Sequence, residues 1–144
     1  MNTFYKIIIL VAIGLASISI SMAQGLNGKF NINISAGLSK PVNGNINCEY
    51  QITNNSYISL GYGEIATLGG ATPHIDITHF FLKGNNNHYF EYGYGVAAFD
   101  HKDDIVVLPN FRLGYRKMND YNSKFFRTGI SLVEGIYFGI GRSF

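Results

Sequence analysis

Cysteine is nearly absent: Cys48 stands alone among 144 residues, so no intrachain disulfide can hold the fold together. Tryptophan is missing altogether, proline occurs three times, and charged residues make up only 14% of the sequence at a formal net charge of +2. So small and balanced a charge excludes the basic surface that nucleic acid requires. Equally missing is an apolar run of the roughly 20 residues that a spanning helix needs. Beyond residue 23 no segment repeats its apolar residues at helical spacing. The four histidines, His74, His79, His88 and His101, lack the close spacing of a zinc site, and neither a metal nor a cofactor is expected.

What is present starts with a leader. Lys6 precedes an apolar run, Ile7 to Ile20, broken only by small residues and followed by Ser21, Met22, Ala23 and Gln24. Residues 1–23 are expected to be a secretory signal peptide, with Ser21 and Ala23 in the small-residue positions of the cleavage site and Gln24 as the mature start. No cysteine follows that site, which argues against a lipid anchor. Residues 24–144 then form one domain, and removal of Lys6 lowers its net charge by one.

That domain reads as all β. Seventeen glycines, ten tyrosines and eleven phenylalanines favour strongly curved strands, and alternation of period two marks eight of them. Phe30, Ile32, Ile34, Ala36 and Leu38 open the series. Ile46, Cys48, Tyr50 and Ile52 follow, then Ile58, Leu60 and Tyr62, then Ile75, Ile77 and Phe81 with His79 on the apolar side. The fifth strand sets Phe90, Tyr92, Tyr94, Val96 and Ala98 outward. The sixth carries Ile105, Val107, Phe111, Leu113 and Tyr115, with a bulge expected at Pro109. Phe126, Thr128, Ile130 and Leu132 mark the seventh, and Ile136, Phe138, Ile140 and Phe144 the last.

Eight strands in this length leave roughly 15 residues for each strand and its connection, which suits bilayer-spanning strands with little loop to spare. An even count returns both chain ends to one side, the periplasmic side of such a barrel. Turns at 53–56, 84–87 and 118–123 then lie on that side, while connections at 39–44, 65–74, 99–104 and 133–135 face outward, two of them long. Phe30, Tyr50, Phe81, Phe90, Tyr115, Phe126 and Phe144 fall near the periplasmic ends of their strands, the level of an interfacial aromatic girdle.

The other parity of each strand distinguishes a membrane barrel from a soluble one. A soluble barrel would show Lys and Glu there, facing water. Here the polar face carries Asn, Ser and Gly, with isolated charges of both signs: Glu49, Asp76, Glu91, Arg112, Arg116 and Arg127. A narrow lumen filled with a paired, structural charge network is the expectation. Gly61, Gly63, Gly93, Gly95, Gly114, Gly129, Gly139 and Gly141 share that inward parity and would relieve crowding.

Three runs carry a resemblance: Leu108 to Lys117 (LPNFRLGYRK), Lys124 to Leu132 (KFFRTGISL) and Tyr137 to Phe144 (YFGIGRSF). They resemble the closing strands of small OmpA/OmpX-like outer-membrane barrels of Gram-negative bacteria, specifically over the last third of the chain and by pattern over the rest. The resemblance implies an eight-stranded antiparallel up-and-down transmembrane β-barrel and an assembly signal read by the barrel-assembly machinery. Ile136, Phe138, Ile140 and Phe144 match that signal. Arg142 departs from it, standing where an apolar residue is expected, and a long basic side chain at an interface can snorkel.

No catalytic constellation is legible. A rim-active lipid hydrolase or acyltransferase would need a His and a Ser held together near the outer leaflet, and no motif selects such a pair. His74 with Asp76, and Asp100 with His101, Asp103 and Asp104, would suit a divalent cation or lipopolysaccharide phosphates in outward loops, though solvated loop charge is the plainer account. Cys48, on the apolar parity, reads as a small hydrophobe. The expected function is structural, adhesive or surface-interacting, by a monomer in outer-membrane lipid with no catalytic residues and no identified extracellular partner. The alternative is a secreted lipocalin- or avidin-like barrel binding a small apolar ligand, whose interior would be apolar and Trp-bearing.

Overall fold

The computed structural model describes residues 30–38, 42–67, 70–101, 104–119 and 123–144; the expected leader, 1–23, lies outside them. Eight strands follow in order: β1 (Phe30–Leu38), β2 (Val42–Thr53), β3 (Ser56–Thr67), β4 (Gly70–Asn85), β5 (His88–His101), β6 (Asp104–Asn119), β7 (Lys124–Ser131) and β8 (Gly135–Ser143). Each pairs antiparallel with the next, and β8 closes on β1, giving an eight-stranded up-and-down barrel. Closure leaves no sheet edge along the body of the wall, which is what a spanning β-structure needs where water cannot satisfy the backbone.

The strands alternate between two environments. Ile34, Ile46, Ile77, Val96, Phe111, Ile130 and Ile140 stand outward, between 47% and 69% exposed, while Asn31, Asn33, Asn47, Glu49, Glu91, Arg116 and Arg127 are buried inside. Apolar side chains face out and charges face in, the inverse of a soluble barrel and the arrangement a lipid solvent favours. Glu49, Asp76, Glu91, Arg112, Arg116 and Arg127 all point into the lumen.

The end of the barrel that carries Phe30 and Phe144 is here called the terminal end. There the β4–β5 turn is made by Asn86 and Asn87, both at positive φ (49° and 70°). Two consecutive left-handed residues make the hairpin turn whose twist matches the strands, and Asn tolerates that conformation better than most side chains do. Phe30 lies opposite Tyr50, and Phe90 opposite Tyr115. Phe81 stacks on Tyr92 at 5.2 Å.

The far end departs from the sequence expectation. The segments 65–74 and 99–104 are mostly strand: Ile65 pairs with Thr72, Ala66 with Ala71, and Asp100 with Ile105. Gly-rich and charged composition suggested loops, but backbone pairing across a hairpin tolerates both where the side chains reach water. Nor does Pro109 make a bulge, since it pairs with Val96 in unbroken register. Phe111 O accepts from Leu132 N at 3.1 Å, so odd-numbered residues of β6 turn their backbone groups toward β7,. The β6–β7 ladder runs from Asn119 only to Arg112. Pro109 therefore directs its missing N–H at an unpaired edge, where proline costs nothing.

Candidate functional site

The lumen is layered. At the terminal end Tyr57 stacks on Phe80 at 5.2 Å, and with Leu82 they form a small apolar cluster flanked by Tyr89. Phe80 and Leu82 escape a reading based on polarity because inward positions of β4 carry apolar residues beside Asp76 and Thr78.

Next to this cap sits a cluster of ions. Arg116 donates to Glu49 through Nη1 at 2.7 Å and Nη2 at 2.9 Å, and to Glu91 through Nε at 3.0 Å and Nη2 at 2.7 Å. Arg127 bridges the same two carboxylates, reaching Glu49 at 3.1 Å and Glu91 at 2.9 Å. Asn31 and Asn33 donate to Glu49 at 3.2 and 2.7 Å, and the Tyr137 hydroxyl donates to Glu91 at 3.3 Å. The guanidinium of Arg116 lies 5.0 Å from the Phe80 ring centroid and 4.5 Å from that of Phe125. Tyr137 can lie across the lumen because Gly114 and Gly129, directly paired, face it: a Cβ at either would collide with its hydroxyl.

Arg112 extends the cluster toward the far end, where its Nη2 donates to Glu134 at 3.2 Å. Glu134 is not on a strand. It belongs to the β7–β8 turn, which ends at Gly135 with φ 68° and folds inward so that Glu134 is 1% exposed. Ser35 donates to the Glu134 carboxylate, Glu134 N donates to Ser131 Oγ at 2.8 Å, and Asn43 donates to Val133 O at 3.0 Å. The turn is thus latched over the mouth. Three arginines face three glutamates, which balances the charge buried in this core.

Asp76 stands apart, a correction to its expected place in the network. It accepts from Asn45 at 3.0 Å and Thr78 at 3.2 Å and has no cation partner among the described residues. Parity tells which face a residue takes, not which neighbours it meets there; by the same token it could not find Glu134, whose turn has no alternation. His74 and Asp76 are likewise in the lumen rather than in an outward loop, 0% and 1% exposed, and His74 stacks with Phe99 at 5.3 Å. Asp103 lies outside the described residues, and among those described no three His, Cys, Asp or Glu side chains are placed to hold a metal.

A histidine and a serine do meet: Ser56 Oγ and His79 Nε2 are 2.7 Å apart, with His79 Nδ1 at 3.3 Å from the Tyr94 hydroxyl. They meet at the terminal end of the wall, not at the far rim, and Ser56 is 7% exposed. A histidine turned toward an apolar surroundings needs partners for both ring nitrogens, and two hydroxyls supply them.

Ile136, Phe138 and Ile140 of β8, together with Phe144, face outward, between 45% and 69% exposed. Arg142 shares that face, its guanidinium 5.5 Å from the Phe144 ring centroid.

No protein-family model matches the sequence, and no curated protein sequence does. Solved structures do match. The N-terminal β-barrel domain of Pseudomonas aeruginosa OprF superimposes with a TM-score of 0.66 at 15% identity, over 81% of this chain and 97% of that one. A de novo designed transmembrane β-barrel gives 0.63 at 10% identity, over 81% and 94%. The Yersinia pestis outer-membrane protein Ail, in a phospholipid bilayer nanodisc, gives 0.53 at 10% identity, over 81% and 98%. Closed topology, inverted polarity and these likenesses define a transmembrane-type barrel. Its fold is that of the eight-stranded outer-membrane barrels of the OmpA/OmpX type.

Proposed function

We propose that this chain is a non-enzymatic barrel of the bacterial outer membrane that acts at the cell surface, its terminal end toward the periplasm, by pairing a partner's extended segment with the free edge of β6. Residues 1–23 serve as the cleaved export signal, and Ile136, Phe138, Ile140 and Phe144 as the pattern read by the barrel-assembly machinery. The protein works as a monomer in outer-membrane lipid, with its lumen closed by the ion cluster.

The observation that carries the surface role is the length mismatch of β6 and β7. Beyond Arg112, residues 104–110 of β6 are paired with β5 on one side and, among the described residues, with no strand on the other. Ile105, Val106, Val107 and Leu108 are 50%, 41%, 60% and 48% exposed, so both faces of this segment are apolar and open. An uncovered apolar edge is ordinarily selected against, being a template for another strand; strand addition to such an edge is an established mode of recognition. The lumen offers no comparable opening, and its buried arginines and glutamates do not suit a small apolar ligand.

Adhesion of cells displaying the protein to matrix-coated surfaces tests this reading, comparing wild type with Val107→Pro. Val107 shares the backbone parity of Phe111, so the substitution removes a donor only from the free side. Loss of adhesion with normal surface levels is expected. Equal adhesion by the variant would remove the edge from the account, and a wild type no more adhesive than cells without the protein would remove the adhesive role.

A further inference from the structure

The rim at the far end is stepped. β4 pairs with β3 out to Gly70 and Thr67, and β6 with β5 out to Asp104 and His101. Their neighbours stop sooner: β7–β8 pairing ends at Ser131 and Gly135, and β1–β2 pairing at Leu38 and Val42. Among the described residues, the last β7 partner of β6 is found at Arg112 and the last β2 partner of β3 at Ile65, so β6 and β3 both outrun the strands beside them. At about 3.3 Å per residue and a tilt of about 40°, β6 stands on the order of 15 Å above the end of β7. Half of the rim, β3 to β6, is high, and the other half, β7, β8, β1 and β2, is low.

Above the step, the edge of β6 is complementary to itself. Odd-numbered residues turn their backbone groups to the free side, so Ile105 and Val107 each offer an N–H and a C=O there, while Pro109 offers a C=O alone and ends the template. A two-fold axis through Val106, normal to the wall, sets Ile105 of each copy against Val107 of the other. Residues so placed in an antiparallel pair exchange both of their hydrogen bonds, which leaves no backbone group of Ile105 or Val107 unpaired. Val106 then meets Val106 of the second copy on the inner face, and Ile105 meets Val107 twice on the outer face. These side chains are 50%, 41% and 60% exposed at 105, 106 and 107 in the single barrel, and β-branched residues facing one another across strands are stabilising. Asp104 falls opposite Leu108, not opposite another carboxylate.

We infer that two copies of this chain, held in facing membranes, join mouth to mouth through antiparallel pairing of Ile105 to Val107, each setting its high half on the low half of the other. The pairing rests on the strand-edge reading of β6 and supplies that edge with an occupant, a second copy. Strand direction selects facing membranes. β6 runs from the far end to the terminal end, so two copies in one bilayer present β6 strands of the same sense. A copy in the facing bilayer is inverted and presents the opposite sense. Each barrel stays a monomer in its own membrane, and the two-fold contact is isologous and closed, so it joins two surfaces without building fibres.

The mature barrel is placed singly in phospholipid nanodiscs, which leave both of its ends free whichever way it inserts, and pairing of discs is read by analytical ultracentrifugation. Wild-type discs are expected to pair. Val107→Pro, its folding checked by heat-modifiable migration, removes a donor from each copy and is expected to weaken pairing on the order of tenfold. In a Cys48→Ala background, Val106→Cys is expected to form disulfide-linked dimers between two differently tagged disc populations under mild oxidation, and Leu108→Cys is not. Wild-type discs that stay single at the highest concentration they tolerate overturn the inference, as does pairing unchanged by Val107→Pro or cross-linking at 108 as strong as at 106. Single discs alongside matrix adhesion that still depends on Val107 remove the second copy and leave the strand-edge reading standing. Single discs alongside adhesion indifferent to Val107 remove both.

Discussion

Arg127 touches both glutamates of the central cluster, and its removal would leave Glu49 and Glu91, both 0% exposed, to share Arg116, with Arg112 3.8 Å from Glu91. Breaking a buried ion pair from one side costs about 3–5 kcal/mol, because the remaining charge stays buried. Arg127→Ala is therefore expected to lower the unfolding free energy of the lipid-inserted barrel by that order, read by urea titration with the folded and unfolded gel bands as probe. Asp76→Asn should behave oppositely. Asp76 has amide and hydroxyl partners but no cation, so a neutral isostere keeps most of its hydrogen bonding and relieves a buried charge; stability within about 1 kcal/mol of wild type, or above it, is expected. A large loss for Asp76→Asn would mean that this carboxylate is coupled to the arginines after all. Sequence parity alone could place Glu49, Glu91 and the arginines on the inward face, since each falls on the polar parity of a strand whose other parity is mostly apolar. It could not separate Asp76 from them, because lateral neighbours inside a barrel depend on the stagger of the strands.

At the level of the element, the hairpin of β5 and β6 is the part least legible in advance. Alternation located both strands, and the apolar outward set of β6 was readable from Ile105 to Tyr115. What composition concealed was where pairing stops: Asp100, His101 and Asp104 have the chemistry of a loop, yet strand pairing reaches His101 and Asp104. The end of β7 is set by Gly135 at positive φ, which turns the chain back after Ser131 and leaves β6 to run on alone. This difference in length makes a specific prediction about backbone polarity. Val106 and Val107 are adjacent and similar in shape, but Val106 directs its N–H toward β5 and Val107 toward the free side. Val106→Pro should deprive the hairpin of a ladder bond and fray it, seen as faster amide exchange across residues 97–107. Val107→Pro should leave exchange at those positions close to wild type. Equal fraying in both variants would place a partner strand against β6 in the resting molecule.

For the whole molecule, the even strand count, the inverted polarity and the aromatic level at one end were all legible, because a bilayer imposes its period and its thickness on every strand alike. The layering of the lumen was not, since it emerges only when inward residues of β2, β5, β6 and β7 are brought to one level. The same geometry makes the lone cysteine a probe of the solvent around the wall. Cys48 is exposed on the outer face, opposite Ile32 on one side and Leu60 on the other, and two residues from Tyr50 of the aromatic level. A strand rises about 3.3 Å per residue and tilts by about 40° in such a barrel, so its thiol lies about 5 Å inside that level, within hydrocarbon. A charged methanethiosulfonate reagent reacts with thiolate and does not enter hydrocarbon. In lipid vesicles Cys48 should therefore remain unmodified over hours, and it should be labelled within minutes once urea unfolds the barrel. A membrane-permeant neutral maleimide gives an intermediate result, limited by the scarcity of thiolate in an apolar medium. If the charged reagent labelled the folded, vesicle-associated protein as fast as the unfolded chain, the outer wall would be facing water, and the apolar face described above would need a protein rather than a lipid to cover it.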